Sequence, residues 1–189
     1  MSAADAVVVP GAGTAARPAT TLRPATDADV AQILAWRNHP AVRRVMFTDH
    51  EIQPDEHVRW WTRVSRSVDH VVLILQHAGR DCGVVTFTRD DETAGGDPHG
   101  DTWSWGFYID PDAFPAGAEQ LRAWSGMEQA SLAHARDALQ ARRIHCEVFA
   151  FNGAVLALHK RHGFVERDRY WRSRSDGHFE VVRLGRDTA

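Results

Sequence analysis

Between residues 147 and 163 the chain carries four side chains of types that handle protons or amides: Glu147, Asn152, His159 and His162. A carboxylate can take a proton from an amine, and an imidazole can give one up near neutral pH. The Asn amide both donates and accepts, which suits recognition of another amide. His159 and His162 are one turn apart and could ligate a metal, but no second pair or CxxC spacing supports a metal site. Each residue also has a plainer role. Glu147 can pair with Arg143 or Arg172 on a sheet face. Asn152 can be a helix N-cap. His159 can be a helix-surface histidine beside Lys160.

The elements that must position these groups are legible in "RIHCEVFAFNGAVLALHKRHGF". A β-branched strand over 143–149 stops at "FN", a helix follows over 153–162, and Gly163 provides the sharp exit expected of the residue after a helix. Upstream, "TTLRPAT" reads as a first strand. Thr26 with Asp29 reads as the start of a helix over 27–36, ended by "NHP". "AVRRVMF" reads as a short helical turn, and Pro54 opens a further helix. Two β-branched runs around "HAGRD" form a hairpin. The Gly-rich 91–101 is a loop, 102–110 a strand, "PDAFPAGAEQLRAWSG" irregular, and 127–139 a helix. Two strands joined at "SDG" close the chain. The order β-α-α-β-β-β-α-β-α-β-β implies a mixed sheet, with strands four and five parallel through a right-handed crossover.

A chain of 189 residues with 43% hydrophobic and 25% charged content suffices for one ordinary domain. Residues 1–19 read as a disordered leader and 20–189 as the domain. A net charge of -3 gives no electrostatic basis for capturing nucleic acid or an anionic membrane, and no run is long enough to span one. Cys82 and Cys146 lie in apolar strands, as reduced thiols of a cytoplasmic protein do.

The element order and the Asn152, Leu158, His159, Gly163 and Phe164 spacing resemble the GCN5-related N-acetyltransferase (GNAT) superfamily. "WRNHP", "EH", "WGFYIDP" and "CEVFAFN" look more narrowly like the bacterial nucleotide-sugar N-acetyltransferases of pseudaminic acid synthesis. The resemblance implies an α/β (α+β) GNAT fold: a mixed sheet of about seven strands, flanked by four helices. Parallel strands four and five splay apart, and the pantetheine arm of acetyl-CoA or another acyl thioester lies along Phe107, Tyr108 and Ile109, with Asn152 on its amides. It further implies Glu147 as general base and His159 where the family often has the Tyr that protonates the thiolate. Arg37, Asn38, Met46, Phe47, His57, Trp60 and Trp105 would form the wall for a small-molecule amine acceptor. The glycines of the usual pyrophosphate loop are out of place: the best match is Arg122, Ser125 and Gly126, and "PAGA" (115–118) is an alternative. An acyl carrier protein presenting phosphopantetheine is therefore a second candidate donor, and a non-catalytic binding module a third reading. No metal is implied, and the expected state is monomer or homodimer.

Overall fold

The computed structural model describes residues 19–90 and 101–188, so most of the leader and of the 91–101 loop lies outside the described residues. Seven strands are ordered along the chain as β1 (Thr20–Pro24), β2 (His70–His77), β3 (Arg80–Arg89), β4 (Thr102–Ile109), β5 (Arg143–Phe149), β6 (Val165–Arg174) and β7 (Gly177–Asp187). The helices are α1 (Val30–Asn38), α2 (Pro40–Arg43), α3 (Pro54–Val64), α4 (Ala118–Asp137) and α5 (Gly153–Arg161), with a 3-10 turn at Asp27–Asp29. The strands form one mixed sheet in the order β1-β2-β3-β4-β5-β7-β6. β4 and β5 are its one parallel pair among the described residues.

Strand alternation divides the buried side chains between the two faces. Leu73, Leu75, Val85, Phe87, Trp103, Trp105, Ile144, Cys146 and Val148 join Ala123, Met127 and Ala135 of α4 and Val155 and Leu158 of α5. Ile74 and Val84 point the other way, to Ile33 and Trp36 of α1 and Trp61 and Val64 of α3. Both cysteines are free and buried. Burial pushes the Cys82 thiol up to about 11.

Three expectations about helices change. The first helix runs on to Asn38 rather than ending at 36, with Pro40 starting the next. The stretch expected to be irregular contains the first two turns of α4, which begins at Ala118 after Gly117 at φ 140°. Gly126, read as a loop glycine, lies inside that helix, where α4 crosses β1: a Cβ there would fall 2.6 Å from the Thr20 Cβ. Gly163 leaves α5 at φ 85°, a left-handed conformation that favours glycine.

The chain's entry is tied down by charge. Arg23 donates to Asp29 at 2.7 and 2.9 Å and also pairs with Asp81. Thr26 donates to Asp29 through its N–H at 2.8 Å and its hydroxyl at 3.0 Å. The Arg23 guanidinium, then the Thr26 donors, hold the Asp29 carboxyl well below the usual range. A depressed folded-state carboxyl stabilises above its unfolded value, about pH 4, and loses that contribution as pH falls further. Asp29→Asn should therefore lower the urea midpoint at pH 7, and the gap should narrow below about pH 4; a gap independent of pH would remove the ionic contribution.

Candidate active site

β4 and β5 pair only at Thr102↔Arg143, Trp103↔Ile144 and Ser104↔His145. Beyond that point both strands continue but no longer pair with each other. β4 stays bonded to β3 as far as Ile109↔Gly83, and β5 to β7 as far as Phe149↔Val181. The β5-facing backbone groups of residues 105–109 thus lack a strand partner among the described residues, an arrangement that invites an added extended chain.

A cavity of about 810 Å³ occupies this gap. Its two sides differ because strand neighbours point to opposite faces. On the α4 and α5 side it is bounded by Gln120, Trp124, Asn152, Val155 and His159, with Trp105 and Phe107 of β4. On the other side stand Thr86, Thr88, Asp90, Ser104, His145 and Glu147. The segment after α2, including Met46 and Phe47, closes this polar side.

Glu147 lies opposite Arg183 in the β5–β7 register. Its Oε1 accepts from Arg183 Nη2 at 2.9 Å and Nε at 3.1 Å. Neither Arg143 nor Arg172 is its partner, because Arg143 reaches Asp187 at the sheet's end. The hydrogen bond and charge of Glu147 hold the Arg183 guanidinium more firmly protonated, and burial followed by Glu147 raises the Tyr170 phenol. Two residues before Glu147 on the same face, His145 Nε2 meets both Asp90 oxygens, at 2.9 and 3.0 Å. The sequence reading missed this pair, since Asp90 and His145 are brought together only by the β3–β4–β5 pairing.

His159 is not a surface residue: it is 1% exposed. Its ring packs edge-on to Trp105 at 5.3 Å and Phe107 at 6.0 Å, and against Phe164 at 5.2 Å. Its Nδ1 lies 2.5 Å from the Glu128 carboxylate of α4. Asn152 precedes α5 but its side chain makes no capping bond, so the half-buried amide is left toward the cavity.

The remaining predicted residues divide by location. Phe107, Tyr108 and Ile109 lie on the unpaired β4 edge, Tyr108 turned toward the α1 side, where burial raises its phenol. Met46 and Phe47 line the cavity, whereas Trp105 faces α5. Arg37, Asn38, His57 and Trp60 do not reach the cavity. Arg37 donates to the Thr48 carbonyl at 2.9 Å. Asn38 is held by two bonds to the Ile52 backbone, at 2.8 and 2.9 Å. Buried His57 stacks on Trp60 and meets the Val30 carbonyl at 3.0 Å, beneath α1, and burial lowers its imidazole. Arg122, Ser125 and Gly126 do not border the cavity either. They lie within α4, where Arg122 is exposed and Ser125 Oγ is 3.1 Å from His162. Gly117 and Ala118 of "PAGA" open α4, whose first turn brings Gln120 to the cavity.

The wall formed by Met46 and Phe47 is fastened from the β6–β7 hairpin. Arg174, with a side chain 5% exposed, donates to the Arg44 carbonyl at 2.9 Å and the Met46 carbonyl at 3.1 Å. The Ser175 N–H donates to Asp49 at 2.9 Å. Arg172 lies over the Phe47 ring at 4.3 Å. Arg174→Met should free this segment and lower stability by about 1.5–3 kcal/mol, the worth of a charged hydrogen bond, read as a lower urea midpoint. An unchanged midpoint would show that the strap does not hold the segment.

The acetyltransferase (GNAT) domain profile matches residues 20–165. No curated protein matches the chain in sequence. Among solved structures, a spermidine N-acetyltransferase from Vibrio cholerae in complex with CoA and spermine is 16% identical, with a TM-score of 0.75 over 89% of this chain and 95% of that one. An N-acetyltransferase from Staphylococcus aureus Mu50 is 19% identical, with a TM-score of 0.70 over 90% and 99%. A protein assigned as a phosphinothricin N-acetyltransferase is 20% identical, with a TM-score of 0.74 over 90% and 99%. These likenesses establish the fold.

Proposed function

Because the chain belongs to the acetyltransferase (GNAT) domain family, we propose that it moves an acyl group, acetyl by default, from a pantetheine thioester to the amino group of a small molecule. The observation that carries this reading is the unpaired β4 edge at residues 105–109, which faces an 810 Å³ cavity. A pantetheine arm has two amides and an extended shape, so it can bond to that edge as a strand would. Asn152 offers a further amide at the end of β5. The first-turn N–H groups of α4 suit the donor's phosphate better than residues 122–126, whose amides lie farther along the helix.

The thioester then lies between two chemically different sides. The acceptor amine comes from the polar side, beneath Met46 and Phe47, and Glu147 and His145 are the groups there able to hold or deprotonate it. Backbone N–H groups of β4 polarise the carbonyl. His159, on the opposite side, gives the thiolate its proton. Binding both reactants in one gap supplies orientation as well as proton transfer.

The test is acyl transfer from acetyl-CoA to a panel of amines: spermidine, phosphinothricin and a nucleotide-linked amino sugar. Titration with acetyl-CoA and with a phosphopantetheinylated carrier protein separates the donors. Transfer to one amine class names the acceptor. Binding of a donor without transfer to any amine would favour a binding module over an enzyme.

A further inference from the structure

α4 presents Trp124, Met127, Glu128, Ser131 and Ala135 at three- and four-residue spacing, one face of a helix. Four of these suit an apolar interface. Glu128 does not, yet it is completely buried. A carboxylate without water is costly unless a partner offsets its charge. Here the partner is His159, whose Nδ1 lies 2.5 Å from Glu128 Oε1, with side-chain exposures of 2% and 0%; the contact is one of charge, since it lacks hydrogen-bond alignment and neither Glu128 oxygen nor Nδ1 has another partner among the described residues. The other His159 nitrogen, Nε2, has no protein hydrogen-bond partner among the described residues. Trp105, Phe107 and Phe164 enclose the ring. His159 also borders the cavity in which the thioester is placed by the function proposed above.

We propose that Glu128 is a positioning residue, which fixes His159 so that Nε2 delivers the proton to the departing thiolate. The inference rests on the acyl-transfer reading. A carboxylate at Nδ1 selects the ring orientation and stabilises the ring when both nitrogens carry protons. The ammonium of the acceptor first loses one proton to solvent through the polar side. Its nitrogen pair then bonds to the carbonyl carbon, and the carbon–sulfur bond breaks. The sulfur takes the Nε2 proton, leaving a neutral imidazole that keeps its Nδ1 proton beside Glu128. The second amine proton restores the imidazolium. The products are amide, thiol and one proton released, so no oxidant or metal is needed. A hydroxyl acid at this position would need no such partner. An imidazole in an apolar enclosure does, because only the carboxylate balances its positive charge.

The experiment compares the parent protein with Glu128→Gln, using acetyl-CoA and the best amine of the panel, and then 4-nitrothiophenyl acetate as donor. With acetyl-CoA, kcat should fall on the order of 10- to 100-fold while both KM values stay within about twofold, since positioned acid catalysis typically contributes at least that much. With 4-nitrothiophenyl acetate, whose thiolate departs without a proton, the loss should shrink to less than about threefold. A merely structural Glu128 would depress both donors alike, and that result, or unchanged turnover, overturns the proposal. Should Glu128→Gln fail to fold, Glu128→Asp, which keeps the charge but draws it back from His159, reads the same donor dependence. A parent protein that acylates no amine overturns the function as well as the pair. An active parent with an equally active Glu128→Gln overturns the pair alone.

Discussion

Phenylalanine in place of Gly106 should leave the protein folded and nearly abolish acyl transfer. Gly106 sits on β4 where pairing with β5 has ended, and it borders the cavity. A Cβ built there meets only Thr86 Oγ1, at 3.9 Å, so the backbone can accept a side chain. Alternation directs that side chain to the polar side of the cavity, into the path that the proposed function gives the acceptor. Displacing reactants by about 1 Å can cost on the order of 10²-fold in rate, and a whole ring displaces them further. Gly83, on the neighbouring strand, supplies the contrast. Its Cβ would lie 2.6 Å from the Tyr108 carbonyl oxygen, so Gly83→Ala should loosen β3 from β4 and lower stability instead. Thermal melts and transfer rates of the two variants separate blocking from unfolding. A fully active Gly106→Phe protein would mean that the chemistry takes place elsewhere.

The largest loss of stability is expected from Trp105→Ala. Trp105 is 5% exposed and stacks near Phe87, Phe107 and Phe164, with centroids at 6.2, 5.7 and 5.8 Å. Large-to-small changes of buried aromatics cost about 3–5 kcal/mol, the lost transfer energy plus a cavity. For a domain of this size that corresponds to a fall in melting temperature of roughly 6–20 °C. Trp105→Phe should recover most of it, because the ring stack survives. The Ala variant should also lose activity at temperatures where it remains folded, since Trp105 holds one edge of the His159 ring. An Ala variant melting within a degree of the parent would show that neighbouring rings close over the gap.

What the sequence made legible was local. Thr26 with Asp29, Pro54, the stop at Asn152 and the turn at Gly163 each depend on neighbours a few residues away, and all lie where their chemistry put them. The positions that misled depend on distant partners. Gly126 signalled a loop, but its small size serves the crossing of Thr20, more than a hundred residues earlier. His57 and Trp60 follow the acceptor wall in sequence, yet the direction of α3 turns them beneath α1. Glu128 could have been found, since the spacing of Met127, Ser131 and Ala135 puts it on the buried face. Its partner could not, because only packing of α4 on α5 brings His159 to it.

The early end of the β4–β5 ladder also bears on energetics. Without donor, the sheet carries an internal edge, and the amides of residues 105–109 that face the gap should exchange faster with solvent than those bonded in the ladders. A donor that bonds there joins two half-sheets, and it adds about 2.7 kcal/mol to stability at a concentration 100 times its Kd. On the proposed function, a filled seam floors the acceptor side, so initial-velocity kinetics should show an ordered reaction, thioester first and amine second.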